Sequence, residues 1–205
     1  MVFIFETSVL LEQQLNEVVQ WHVKAPEPGY NEGSDFPSLV SMQHYLNFEL
    51  WHQEDIARDP DAPDSKIAAV KRSIDVLNQR RNDMIEQIDQ YLLDVLQNKK
   101  IKYTSETELN SETPGSIIDR LSINALKIYH MDEEIQRPNV ADEHRKKCSV
   151  KLSVLNDQRN DLKKSLETLL TDLSNGKKRL KVYQQMKMYN DENLNPILYQ
   201  KEKNK

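Results

Sequence analysis

His52 and His130 stand 78 residues apart, and each is followed three positions later by an acid, Asp55 and Glu133. On a helix that spacing puts imidazole and carboxylate on one face. Two such faces brought together offer two nitrogen and two oxygen ligands, a set that suits a divalent metal. The alternative is a hydrogen-bonded histidine near each helix end, favoured by the helix dipole. A ferritin-like di-metal centre would want Glu-x-x-His from two helices. Glu49-x-x-His52 meets that pattern, but Lys127 stands where the second copy would need its glutamate.

A second polar set sits on apolar seams. Arg81 and Arg159 occupy positions where the helical spacing calls for Leu or Ile, with Asn78 and Asn156 one turn before them and Asn82 and Asn160 directly after. A buried guanidinium costs several kcal/mol, to order of magnitude, unless it is paired and hydrogen-bonded. These residues are therefore candidates for binding a polar small molecule. Counting along the helices from their turns sets Arg81 beside Ser41 and Arg159 beside Asp119, with Arg120 near. Asp119 and Arg159 are thus an expected ion pair.

Other chemistries find little support. The chain has no His-Glu-x-x-His, no nucleophile elbow and no spaced Cys/His set. Its one cysteine, Cys148, lies on an apolar seam and reads as a core residue; a disulfide framework is excluded, and a reducing compartment fits. Four glycines, none clustered before a helix, exclude a phosphate-cradling loop. A formal net charge of −5 argues against general nucleic-acid binding. The stretch from Gly176 to Tyr183 is different, with Lys177, Lys178, Arg179 and Lys181 and no acid. It offers a hold on a phosphate, a nucleotide-sugar or an acidic partner. The competing reading is a last helix that lays Leu180, Tyr183 and Met186 on the rest.

The elements that position these groups read as helices. At 205 residues, 38% hydrophobic and 30% charged, the chain has the composition of one soluble domain spanning 1–205. Leu11, Leu15, Val18 and His22 make the stripe of a first helix, and the Pro- and Gly-rich residues 24–37 follow as a linker. Ser38 is the expected cap of a second helix, which ends near Arg58 before a proline turn. A long third helix carries Ile67, Val70, Ile74, Leu77 and Arg81. A fourth runs from Ser116 to about Gln136, and a fifth from about Asp142 to Ser174, where Asn175-Gly176 stops it. No run alternates as a strand would, so the predicted fold class is all-α. No segment is long and apolar enough to span a bilayer, and the opening residues lack the basic start of a signal, which leaves the cytoplasm as the expected compartment.

Sliding the chain on itself by 78 residues aligns Ser38 with Ser116, His52 with His130 and Pro60 with Pro138. It also aligns residues 76–83, VLNQRRND, with residues 154–161, VLNDQRND. Leucine matches arise between any two amphipathic hairpins, but a shared proline turn and a shared Arg-Asn-Asp do not. The expectation is an internal duplication: homologous helical hairpins over 38–96 and 116–174 form a bundle about a pseudo-two-fold axis. An N-terminal helix and a C-terminal basic arm, 177–205, pack outside.

Residues 50–58 (LWHQEDIAR), 78–83 (NQRRND), 112–122 (ETPGSIIDRLS) and 181–191 (KVYQQMKMYND) together resemble a bacterial family, the domain-of-unknown-function family numbered 4254. The resemblance covers about residues 40–199, and the Gly-Ser-Ile-Ile-Asp-Arg-Leu-Ser stretch is its most specific part. It brings no catalytic residue. What it implies is an accessory role in cell-envelope polysaccharide or lipopolysaccharide synthesis, with glycan-synthesis enzymes as partners. Two functions follow from the sequence. One is a metal or small-molecule site on the repeated positions, with a nucleotide-sugar or phosphate as ligand. The other is a non-catalytic adaptor whose polar core is purely structural. A homo-oligomer is compatible with both.

Overall fold

The computed structural model of the chain describes residues 5–24, 26, 35–186 and 194. Its described residues form five α-helices: α1 (Thr7–Val23), α2 (Phe36–Ala57), α3 (Asp64–Asn98), α4 (Pro114–Gln136) and α5 (Asp142–Ser174). The linker expected over 24–37 lies outside the described residues except near its ends, and so does the tail beyond Met186 apart from Leu194.

Two of the helix starts differ from expectation for the same reason. Proline lacks an N–H and has φ already set for the first turn, so a helix can begin before it rather than after it. In α2, Asp35 is the cap and accepts from the Ser38 N–H at 2.9 Å, with Pro37 inside the first turn. In α4, Thr113 is the cap and Pro114 the first helical residue. The Ser116 N–H donates to Thr113 Oγ1 at 3.2 Å, and the Thr113 N–H donates back to Ser116 Oγ at 2.9 Å. At the other end, α5 stops at Gly176 as its sequence predicts. Gly176 has φ +69°, its N–H reaches Leu173 O and the Lys177 N–H reaches Asp172 O.

One correction concerns the basic stretch. It is not a last helix: Lys178–Arg179 is a strand, β2, paired in parallel with β1 (Glu108–Leu109) in the α3–α4 connection. Two residues are too few to leave an alternating pattern in the sequence. The cations have structural work there. Arg179 Nε donates to Thr107 O and Lys178 Nζ to Asn110 Oδ1, each at 3.0 Å, while Leu180 is buried in the core.

Short connections make α2–α3 and α4–α5 antiparallel pairs. Helices α2 and α4 then lie side by side and run in the same direction. His44 meets Ser122, and eight residues further on His52 meets His130. Helix α1 packs across α4, α5 and α2. The largest apolar cluster fills the end where α3 and α5 finish, around Ile88, Leu92, Ile117, Leu121, Leu166 and Leu173. A smaller, aromatic one with Trp21 and Phe48 lies nearer the hairpin turns, and the polar residues fall in and around it. No helix among the described residues is long and apolar enough to cross a membrane.

Candidate functional site

The α2–α4 contact carries several of the buried polar residues. His44 is fully enclosed. Its Nε2 lies 2.8 Å from Gln14 O, and a carbonyl can only accept, so Nε2 carries the proton. Nδ1 then accepts from the Ser122 hydroxyl at 2.6 Å. Ser122 Oγ in turn accepts from Asn47 Nδ2 at 2.9 Å, and Asn47 Nδ2 also reaches Asp119 Oδ1 at 2.9 Å. Gln43 Nε2 donates to the same carboxylate oxygen at 2.6 Å. Burial raises the Asp119 pKa, against the opposing pull of Arg81 and Asn47.

Asp119 does not pair with Arg159, contrary to the sequence expectation. Arg159 is 6% exposed and gives its guanidinium to two backbone carbonyls, Leu121 O at 3.1 Å and Leu11 O at 2.6 Å. Burial brings its pKa down to about 10. The carboxylate sits nearer Arg81, with Oδ1 3.9 Å from Nε. Counting along helices fixes the level of two residues but not the side of the helix they occupy, and the side decides here.

Asn156 and Asn160 are exposed. Asn82 hydrogen-bonds Gln185 at 2.9 Å, and Arg120 forms an exposed ion pair with Glu112. Of the expected ligand-binding set, Asn78 and Arg81 line a cleft between α2, α3 and α4 whose volume is ≈ 350 Å³. Asp119 reaches the same place through Arg81 and Asn47.

One turn beyond Phe48, His52 and His130 approach each other, with ring centroids 5.9 Å apart. A third imidazole joins them from the end of α1. His22 lies 5.1 Å from the His52 ring and 5.0 Å from that of His130. One nitrogen from each of the three falls within 4.8 Å of the others. Every ring is braced by a neighbour: His22 stacks on Tyr129 at 4.0 Å, His130 on Trp51 at 4.6 Å, and His52 meets Phe48 edge-on at 4.5 Å.

The hydrogen bonds fix what two of these rings can do. His22 Nδ1 is 2.7 Å from Val18 O, so it carries the proton and Nε2 is left with a lone pair. His130 Nδ1 is 2.7 Å from Glu133 Oε2, which fixes the same tautomer. Both Nε2 atoms are buried and have no hydrogen-bond partner among the described residues. Burial, and then the neighbouring His22 and His130, hold the His52 pKa below its ordinary value, against Asp55 and Glu49.

Asp55 and Glu133 are not part of the converging set, which corrects the expected two-imidazole, two-carboxylate arrangement. Both are exposed, and Glu133 turns to its own helix and orients His130. The third imidazole of the cluster, not foreseen, is that of His22, visible in the sequence as the last member of the first helix's stripe, where an apolar residue would be expected.

These features define an all-helical protein in which three helices bring three histidines to one point. The chain belongs to the family described as "protein of unknown function (DUF4254)", whose model matches residues 37–182. That span contains His52 and His130 but not His22. No curated protein matches the chain, and no solved structure does.

Proposed function

We propose that this is a metal-binding protein, with one divalent transition-metal ion held by His22, His52 and His130. The observation that carries the reading is the pair of buried, unpartnered Nε2 atoms on His22 and His130, beside a third imidazole kept neutral by its surroundings. Leaving such atoms without a partner costs about 1–3 kcal/mol each, and a metal ion removes that cost. Ligating histidines characteristically donate their other N–H to a carbonyl or carboxylate, as His22 and His130 do to Val18 and Glu133. A tetrahedral ion with bonds of about 2.0–2.1 Å needs nitrogens roughly 3.4 Å apart, within reach of small ring rotations. Three imidazole ligands suit zinc, cobalt, nickel or copper rather than magnesium or calcium, and leave a fourth position for water or a substrate.

The duplication belongs to this reading. Helices α2 and α4 start 78 residues apart, as do α3 and α5, and the His44–Ser122 and His52–His130 contacts each pair residues 78 apart. The pseudo-axis between α2 and α4 then supplies two ligands by symmetry, and α1 adds the third within one domain. The wider role is the one the family resemblance implies, an accessory factor in cell-envelope glycan synthesis. The adaptor reading is favoured by one observation: the hydrogen bonds of His44, Ser122 and Arg159 are made wholly within the protein. That part of the polar core is structural.

The test is metal content after stripping with chelator and dialysis against Zn²⁺ or Co²⁺. We expect about one equivalent of zinc, and a cobalt visible spectrum of tetrahedral type. His22→Ala, His52→Ala and His130→Ala should each abolish both, and Glu133→Gln should weaken affinity about 10–100-fold. Equal zinc uptake by the wild type and a folded triple-alanine variant would overturn the proposal.

A further inference from the structure

Arg81 and Arg159 occupy equivalent places 78 residues apart, yet their surroundings differ. Arg159 donates to two backbone carbonyls, and the acceptor of the shorter bond, Leu11 O, belongs to α1. Around Arg81 no described helix supplies such an acceptor, and the cleft of ≈ 350 Å³ opens there instead. Asn82 Oδ1 lies 3.5 Å from Nη2, and Asp119 Oδ1 3.9 Å from Nε. Arg81 Nε is buried without a hydrogen bond among the described residues, and Asp119 is already engaged by Gln43 and Asn47. Asn78, one turn earlier on α3, also lines the cleft, and its side-chain amide makes no hydrogen bond among the described residues.

We propose that this cleft binds a small organic oxyanion, a carboxylate or a phosphate monoester, through the Arg81 guanidinium and the Asn78 amide. The planar guanidinium fork matches both anions, and a partly buried one gains most from a charged acceptor. Of the acids at the rim, Glu54 pairs with Arg58 at 3.1 Å and Asp55 is exposed to solvent. Leu50, Trp51 and Leu126 form an apolar wall for the rest of the ligand, and the volume is that of a small-molecule pocket. Trp51 stacks by its ring on His130, so the anion lies one side chain away from the histidine cluster.

The experiment uses the full chain stripped of metal and kept in chelator, so that its failure would leave the metal reading standing. Phenyl phosphate, benzoate and neutral benzyl alcohol are titrated in low salt and followed by nitrogen–proton correlation spectra. We expect one of the two anions to saturate shifts at the Trp51 indole, the Asn78 amide and Arg81 Nε–H, and benzyl alcohol to leave them in place. Which anion binds more tightly distinguishes a phosphate from a carboxylate ligand. Arg81→Gln should weaken binding at least about 10-fold, and the exposed Lys147→Gln should not change it. If Arg81→Gln does not fold, Asn78→Ala takes its place with the same expected direction. Absence of saturable shifts at these residues, or unchanged affinity in the folded variant, would overturn the proposal.

Discussion

A guanidinium that is 6% exposed beside leucines on an apolar seam is held at position 159 by two carbonyl oxygens, not by a carboxylate. Those carbonyls lie within helices, so the removal of Arg159 leaves packing space and weak acceptors rather than an orphaned charge. Arg159→Ala should therefore destabilise by about 2–4 kcal/mol, chiefly through the cavity. Arg159→Met, which fills the space without a charge to desolvate, should lie within about 1 kcal/mol of wild type. Urea unfolding of the two variants, with the exposed Lys147→Ala as reference, checks this. A loss in Arg159→Met as large as in Arg159→Ala would mean that the two hydrogen bonds dominate. The burial of Arg159 was legible from its spacing with Leu155 and Leu162. Its partners were not, because they are backbone atoms of helices far away in sequence, and every helix offers them.

Among the elements, α4 shows how a helix start is fixed from outside. Thr113 and Ser116 cap it internally, and the Asp89 carboxylate, from α3, accepts the Gly115 N–H at 2.7 Å. An acid at that end also meets the positive pole of the helix dipole. The contact is so close that a Cβ at Gly115 would lie 2.8 Å from both Asp89 Oδ1 and Ile85 O, the second being backbone that cannot swing away. Gly115→Ala gains up to about 1 kcal/mol in helix propensity but should still destabilise by about 1–3 kcal/mol from overpacking. Chemical denaturation measures the balance, and a stabilised variant would contradict the close α3–α4 approach. The sequence marks Thr113-Pro114-Gly115 as a boundary; why the residue after proline must be glycine depends on α3 lying against it.

For the molecule as a whole, two buried groups titrate in opposite senses. His44, enclosed and hydrogen-bonded as the neutral ring, has its pKa lowered from 6.5 to about 3 by burial. Its contribution is complete above pH 6.5 and is lost as pH falls towards 3. Asp89, pushed up from 3.8 to about 6 mainly by burial, works the other way: the protein gains stability as pH falls from 6 towards 3.8. Each slope is on the order of 1 kcal/mol per pH unit, so between about pH 4 and 6 they largely offset. Asp89→Asn keeps an acceptor for Gly115 and removes one of the two. Its stability, measured by denaturation at several pH values, should fall more steeply than wild type across that window. Parallel curves would show that Asp89 does not titrate there.

Periodicity, caps and proline turns were sufficient to set out the long helices, including both ends of α5, because these signals are local. They also drew attention to His52, His130, Arg81 and Arg159, because polar residues on apolar stripes stand out against a regular pattern. The tertiary structure alone decided what those residues face. His22 became the third member of the cluster only when α1 crossed the α2–α4 pair, and Asp119 passed from Arg159 to Arg81 because azimuth about a helix axis, not position along it, selects a partner. The spacing of residues fixes which face of a helix they share; which other face meets it depends on packing summed over the whole core.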